Sequence, residues 1–157
     1  MSKSQRRLLR KNSDLRIEFG PVKFTDQMEN VFDRHRQRFT RRVPTSLGVF
    51  ITPSPYKIPC EGRQVCVFEG DRLIAASFFD LGDRATSGVY AIFEPDEARR
   101  RLGIFTLLKE IEYAVETGRD YYYLGYCHDG NSFYNYKKQF RATEYFDWKG
   151  SWSPYEK

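Results

Sequence analysis

The sequence predicts an α/β domain of the α+β type, in which a mixed, mostly antiparallel sheet is flanked by helices. Three strand patterns follow one another with Gly-Asp turns between them, and amphipathic helical patterns stand before and after them. With 157 residues, 40% of them hydrophobic and 30% charged, the chain fits one globular domain over residues 1–157. It contains no apolar stretch typical of a membrane span or a secretory signal, so the cytoplasm is the expected location.

The first predicted elements are a short strand and a helix. Residues 15–19 (LRIEF) alternate apolar and polar side chains like a strand. Residues 25–39 follow as a helix, with Thr25 as its N-cap and an apolar stripe that includes His35 as a packed core histidine. Residues 40–62 contain four prolines and are expected to form an irregular connection.

A meander from residue 64 to residue 93 forms the centre of the predicted sheet. Its strands read QVCVFE, RLIAASFFDL and ATSGVYAIF. A helix over 103–117 is expected across one face, with a strand over 120–126 beside the meander. A short helical piece and a last strand near ATEYFDW complete the order. The inner face of the helix is predicted to consist of Ile104, Leu107, Leu108, Ile111, Ala114 and Val115.

Positive charge is concentrated in the N-terminal part. Residues 1–42 contain 12 Lys and Arg against 5 Asp and Glu, whereas the whole chain has a net charge of +5. Residues 1–14 are expected as a basic N-terminal arm, and a second basic cluster lies at 98–101. Clustered arginine suits a polyanion such as RNA or a phosphorylated cofactor, although a solvated arm has the same sequence signature.

The cysteines argue against a disulfide framework and a metal site. Cys60, Cys66 and Cys127 are three in number and include no C-x-x-C pair. Cys127 and His128 are adjacent, so on a strand they would point to opposite faces and could not easily share a metal. Neither a metal nor a bound cofactor is expected.

The turn RRLGIF, between the meander and the helix, has the features of an anion site. Gly103 lets the backbone approach a ligand, and the helix N-terminus after it offers unpaired N–H groups. The order of three antiparallel strands, this turn, a helix and a further strand resembles the GNAT acyltransferases, whose loop reads Q/R-x-x-G-x-G/A and holds the coenzyme A pyrophosphate. Arg100 and Gly103 match that pattern, whereas Phe105 replaces the second small residue and is expected to narrow the pyrophosphate cradle.

Five segments taken together resemble a more specific family. They are SQRRLLRKNSDL at 4–15, SGVYAIFEPD at 87–96, RRLGIFTLLKEIE at 100–112, YYLGY at 122–126 and YKKQF at 136–140. Their order and spacing are similar to the C-terminal, catalytic part of the arginyl- and leucyl-tRNA–protein transferases. The resemblance implies a GNAT-like fold that moves an amino acid from its tRNA onto a protein N-terminus. The cysteine-containing N-terminal domain of that family has no counterpart here, which leaves open a partner chain that replaces it.

Aminoacyl transfer needs an amine nucleophile, a base, an acid for the departing ribose oxygen and a donor to the carbonyl oxygen. An N-terminal amine has a pKa of about 8, so a mild base is sufficient. The resemblance to GNAT enzymes implies that backbone N–H groups at Ala91 and Ile92, where two strands diverge, donate to the carbonyl oxygen. The candidate catalytic side chains are Glu94 and Asp96 as the base, and Tyr126 and Tyr136 as the acid or hydroxyl relay.

The co-substrate is expected to be aminoacyl-tRNA. Tyrosines after residue 120 are candidates for a wall on which the terminal adenine stacks, and packing against the sheet is the alternative for some of them. The candidate donor-binding residues, for tRNA or coenzyme A, are Arg99, Arg100, Arg101, Gly103, Lys137 and Lys138.

Three functions remain open from the sequence. The leading one is a tRNA-dependent transferase that moves an amino acid of the Arg or Leu type to an amine of a protein, peptide or small acceptor, with no membrane partner. The second is a GNAT N-acyltransferase that uses acetyl-CoA, which Phe105 opposes. The third is a tRNA- or protein-binding module without catalysis.

Overall fold

The computed structural model describes residues 1–52, 60–128, 130 and 133–156. Its helices are α1 (Lys3–Lys11), α2 (Asp26–Arg36) and α3 (Leu102–Glu116). Its strands are β1 (Arg16–Pro21), β2 (Glu61–Glu69), β3 (Arg72–Leu81), β4 (Ala85–Phe93), β5 (Tyr121–Tyr123), β6 (Glu144–Phe146) and β7 (Trp152–Pro154). Short 3₁₀ helices cover Leu47–Val49, Pro95–Arg100 and Phe133–Gln139. None of the described helices is long and apolar enough to cross a membrane.

Five strands form the main sheet in the order β1-β2-β3-β4-β5. The pairs from β1 to β4 are antiparallel, and β5 runs parallel to β4. This arrangement confirms the predicted mixed, mostly antiparallel sheet, with the meander at its centre and the following strand beside it. That strand is shorter than the predicted 120–126, because only Tyr121–Tyr123 pair with β4. The last predicted strand is one half of a separate hairpin, because β6 pairs with β7.

Helices cover both faces of the sheet. On one face, α1 and α3 bury Leu8, Leu102 and Phe105 in a common apolar cluster. On the other face, α2 buries the predicted stripe of Met28, Val31, Phe32 and His35. Removing such side chains from water is the main force that holds helix and sheet together.

The N-terminal residues form a helix that packs on α3. The Ser2 side chain accepts from the Gln5 N–H, and the Gln5 side chain accepts from the Ser2 N–H, which makes a capping box. Leu8 is 5% exposed, so part of the predicted basic arm is an element of the core. Thr25 caps α2 as predicted, and His35 is buried as predicted. The predicted connection 40–62 ends early, because β2 begins at Glu61, and its prolines 53, 55 and 59 lie outside the described residues.

The buried face of α3 is rotated from the predicted one. Val115 is 70% exposed, so its placement on the inner face is wrong. Phe105, Thr106 and Glu110 are buried instead. The apolar stripe misplaced the face because two of these buried residues are polar, and hydrogen bonds rather than apolar character permit their burial.

Candidate active site

The strands β4 and β5 diverge soon after they pair. Their ladder joins residues 85–87 to residues 121–123, and the chain beyond Tyr123 leaves the sheet. Gly88 pairs with Phe79 and Tyr90 with Phe78, so β4 carries one extra residue at this point. Such a bulge bends a strand and redirects its side chains. Beyond Gly88, the edge of β4 is therefore unpaired on the β5 side and faces a gap between β4 and the chain that follows β5.

The direction of the backbone N–H groups along this edge is fixed by two hydrogen bonds. Phe93 donates its N–H to Nδ1 of His35 at 3.2 Å, away from β3. Glu94 donates its N–H to the carbonyl oxygen of Ile74 on the β3 side, at 2.9 Å. Since N–H directions alternate along a strand, the N–H of Ala91 points towards the gap and that of Ile92 points towards β3. Of the two predicted oxyanion donors, Ala91 has the required direction and Ile92 does not.

A buried carboxyl group beside the gap was absent from the sequence-based candidates. Glu110 of α3 is 3% exposed and accepts hydrogen bonds from the hydroxyls of Ser77 on β3 and Tyr122 on β5. Burial raises the pKa of Glu110 to about 7, although the two hydroxyls lower it in part. An added Cβ at Gly88 would clash with the Tyr122 hydroxyl. A glycine inside a strand was the one sequence signal of this close approach.

The two candidate tyrosines lie in different surroundings. Tyr136 is partly buried, lines a small cleft with Arg101 and Ile104, and has its pKa raised by burial. Tyr126 is 73% exposed, and its ring stacks on Trp148 with centroids 5.9 Å apart. Tyr136 is therefore partly enclosed by the protein, whereas the Tyr126 ring is largely exposed to solvent.

The two candidate bases are at the far end of β4. Glu94 is 1% exposed and accepts from Nε of Arg34 at 2.7 Å, with Arg72 at 3.9 Å from the same carboxylate. Asp96 is exposed in the 3₁₀ helix Pro95–Arg100. Glu94 packs against α2, on the opposite face of the sheet from the Tyr136 cleft, so the structure does not bring them together. Its carboxylate is engaged by Arg34 and lies apart from the cleft, which argues against Glu94 as the base.

The three arginines before α3 are not equivalent. The guanidinium of Arg100 donates to both carboxylate oxygens of Asp14, at 3.1 and 3.0 Å, and to Glu69 at 2.8 Å. Because Arg100 is already paired, it is not available as predicted to bind a phosphate. The side chains of Arg99 and Arg101 are exposed.

The start of α3 differs from the predicted cradle in one respect. An added Cβ at Gly103 would lie 3.0 Å from the Phe93 ring, so this glycine permits close helix–strand packing. Phe105 is 1% exposed in the core cluster with Leu8 and Leu102. Its ring is therefore packed in the core and does not occupy the open end of the helix, so the prediction that it narrows the cradle is wrong.

The two candidate lysines hold the backbone that follows β5. Nζ of Lys137 donates to the carbonyl oxygen of Tyr126 at 2.8 Å, and Nζ of Lys138 donates to that of His128 at 3.0 Å. Burial lowers the pKa of Lys137. Both lysines thus tie the 3₁₀ helix Phe133–Gln139 to the segment before it.

Exposed rings form an aromatic surface next to this segment, defined by Tyr123, Tyr126, Trp148 and Trp152. Trp148 is 73% exposed and has a positive φ of 61° in the turn between β6 and β7. The Asp147 carboxylate accepts from the N–H groups that follow, at 2.7 and 3.0 Å, which fixes this turn. Tyr123 lies against Trp152 with centroids 5.9 Å apart. Within the described ranges, no cluster of His, Cys, Asp and Glu could hold a metal ion.

Comparison with known proteins gives one family and one fold. The family described as arginine-tRNA-protein transferase, C terminus, matches residues 22–147. The chain is 33% identical over 148 residues to the aspartate/glutamate leucyltransferase of Acinetobacter baylyi, covering 92% of this chain and 54% of the relative. It is 32% identical over 146 residues to the protein of that name from Pseudomonas fluorescens, covering 91% of this chain and 62% of the relative. The chain thus spans between about half and two-thirds of the length of these relatives.

Solved structures resemble the fold at low sequence identity. The ribosomal-protein-alanine N-acetyltransferase from Brucella melitensis superposes with a TM-score of 0.62 at 12% identity, covering 91% of this chain and 99% of that one. L-PGS from Bacillus licheniformis superposes with a TM-score of 0.56 at 15% identity, covering 83% of this chain and 42% of that one. These likenesses confirm the GNAT-like fold that the order of elements predicted.

Proposed function

Because the chain belongs to the arginyl- and leucyl-tRNA–protein transferase family, as its C-terminal domain, we propose that it transfers an aminoacyl group from tRNA to an amine. The acceptor is the amine of a protein, peptide or small molecule. The names of the relatives favour leucine as the amino acid and an N-terminal Asp or Glu as the acceptor residue.

The observation that carries this proposal is the gap between β4 and β5. The N–H of Ala91 points into it, which supports a role in binding the carbonyl oxygen as negative charge develops there. An N–H group held in a strand is already oriented before the reaction, so little reorganisation is needed in the transition state. Tyr136 interacts electrostatically with Glu110 and supplies a hydroxyl beside the start of α3.

Binding the aminoacylated end of the tRNA requires a protein surface that contacts phosphates and bases. Arg99 and Arg101 are exposed cations at the start of α3, and helix N-termini favour anions. The aromatic surface offers ring faces to unpaired bases, and base–aromatic stacking contributes about 1–3 kcal/mol per base. We assign Tyr126 and Trp148 to stacking rather than to proton transfer, because both rings are largely exposed.

The remaining candidate residues have supporting roles in this proposal. Glu94 stabilises the end of β4 through Arg34. Lys137 and Lys138 shape the segment that carries Tyr126. Asp96 stays a candidate base, since its carboxylate is exposed and outside the ion pairs of Glu94.

A second function has one specific observation in its favour. Since the Phe105 ring is in the core, the first turn of α3 is not blocked by it, and coenzyme A remains a candidate donor for an N-acyltransferase. The engagement of Arg100 with Asp14 and Glu69 counts against this function.

A screen of donors and acceptors tests the proposal. Leucyl-tRNA, arginyl-tRNA and acetyl-CoA, each labelled in the transferred group, are incubated with the protein and a pool of peptides that begin with different residues. We expect label from leucyl-tRNA on peptides that begin with Asp or Glu, and none on the same peptides with a blocked N-terminus. Binding of tRNA without any labelled peptide would instead support a binding module.

A further inference from the structure

Glu110 lies where three strands and a helix meet. It extends from α3 to the sheet, where Ser77 of β3 and Tyr122 of β5 donate hydroxyl hydrogen bonds to its carboxylate. Gly88 of β4 leaves the space that the Tyr122 hydroxyl occupies. The described ion pairs do not include Glu110, and the groups that act on it electrostatically are these hydroxyls and that of Tyr136.

The buried Glu110 carboxyl group has two hydroxyls and no cation as its hydrogen-bond partners. A buried carboxylate without a cation is costly, and apolar residues surround α3 on this face of the sheet. With a pKa of about 7, the group is present in both protonation states near neutral pH. A group of this kind is suited to take up a proton and give it back during one turnover.

One tyrosine hydroxyl is hydrogen-bonded to this carboxyl group, and a second interacts with it electrostatically. Tyr122 belongs to the last paired stretch of β5, opposite Thr86, just before the strands diverge. Tyr136 interacts electrostatically with both Tyr122 and Glu110. Its ring also lines the cleft at the start of α3, beside Arg101 and Ile104. Tyr136 therefore belongs both to the surroundings of Glu110 and to the lining of the cleft.

We propose that Glu110 takes up the proton of the acceptor amine during transfer, through the hydroxyls of Tyr136 and Tyr122. The amine nitrogen forms a bond to the ester carbonyl carbon, and the bond from that carbon to the ribose oxygen breaks. The amine proton moves to the Tyr136 oxygen, and Tyr136 passes its own proton to the Tyr122 oxygen once the bound substrate brings the two hydroxyls together. Tyr122 passes its proton to Glu110 along their hydrogen bond. The reverse movement delivers a proton to the departing ribose oxygen and leaves Glu110 ionised again. Glu110 acts through the tyrosines and does not touch the substrate, so it is a positioning residue, and its role rests on the proposed function.

The pH dependence of the transfer rate tests this role. Initial rates with leucyl-tRNA and an Asp-initiated peptide are measured for the wild-type protein and for Glu110→Gln. In the wild type, both Glu110 and the acceptor amine must lose a proton before transfer. A plot of the logarithm of the rate against pH should therefore rise with a slope of two on the acid side. Glu110→Gln should leave a slope of one, and the rate at about pH 8 should fall by about 10²–10⁴-fold.

Ser77→Ala is the matched variant, because it removes the other hydrogen bond to the same carboxylate and leaves Tyr122 in place. The Ser77 hydroxyl lowers the pKa of Glu110, so its loss should raise that pKa. The pH–rate profile of Ser77→Ala should keep its slope of two, and its Glu110 inflection should move to higher pH. Thermal unfolding of each variant reports whether the fold is retained. A slope of two in Glu110→Gln, or an unmoved profile in Ser77→Ala, overturns the role of Glu110 and leaves the proposed function standing. Absence of transfer from every aminoacyl-tRNA by the wild-type protein overturns both.

Discussion

At the scale of single residues, Glu110 should make stability depend on pH. Its pKa is raised in the folded protein from 4.5 to about 7, so the folded state binds this proton more tightly than the unfolded state does. The free energy of unfolding therefore decreases as the pH rises from 4.5 to about 7, and the full penalty is present above that range. Glu110→Gln resembles the protonated form and should raise the free energy of unfolding by about 3 kcal/mol at pH 8, with little change at pH 5. Urea unfolding at both pH values checks this, and an equal change at the two would contradict it.

The arginine run before α3 gives a second test at this scale. Arg100→Ala removes the partner of Asp14 and Glu69 and should lower the free energy of unfolding by about 1 kcal/mol, the upper end for exposed ion pairs, because one guanidinium pairs with both carboxylates. Arg99→Ala, whose side chain is exposed, is the control and should leave stability within about 0.5 kcal/mol. Arg99→Ala and Arg101→Ala should also weaken tRNA binding. When the logarithm of the tRNA affinity is plotted against the logarithm of the salt concentration, each substitution should make the slope shallower by about one. Equal effects of Arg99→Ala and Arg100→Ala on stability would show that the ion pairs of Arg100 contribute nothing.

At the scale of elements, apolar patterns predicted the strands and helices well where side chains alternate between core and solvent. The meander, the capped start of α2 and the strand beside β4 were placed correctly for this reason. The buried face of α3 was not, because Glu110 is buried through hydrogen bonds that join positions far apart in the sequence. The sequence predicts an arm at the start of the chain, where the structure has the helix α1. Its many charged residues outweigh the weaker helix signals, which are the capping box and the buried Leu8. Polar groups that contact distant residues leave no periodic signal.

The segment after β5 gives a prediction at the same scale. Lys137→Ala removes the donor to the Tyr126 carbonyl, so amide hydrogen exchange should become faster in residues 124–139. Weaker tRNA binding should follow from the loosened segment, with an unchanged salt dependence. Lys149→Ala, at an exposed lysine in the β6–β7 turn, is the control and should leave exchange in 124–139 unchanged. Unchanged exchange in Lys137→Ala together with a smaller salt slope would mean that Lys137 contacts phosphate directly.

At the scale of the whole molecule, the fold class followed from the order of elements, whereas the site followed only in part. The sequence predicted Ala91, Tyr136 and Arg101 as site residues through a family resemblance, and Tyr136 and Arg101 line one cleft. It could not show that Arg100 is paired or that Glu94 is buried against α2, since both depend on contacts across the sheet. Part of the positive charge of the first 42 residues is also engaged, because Arg16, Arg34 and Arg36 form ion pairs. Net charge alone therefore overstates the surface that is free to bind RNA.

The measurement that tests the account most directly is the dependence of transfer on intact RNA. The protein is incubated with labelled leucyl-tRNA and a peptide that begins with Asp, and the peptide mass is followed with and without prior RNase treatment. We predict an added leucyl group on the peptide, its complete loss after RNase, and no acyl transfer when acetyl-CoA replaces the tRNA. A product that forms from acetyl-CoA, or that survives RNase treatment of the donor, would contradict the account.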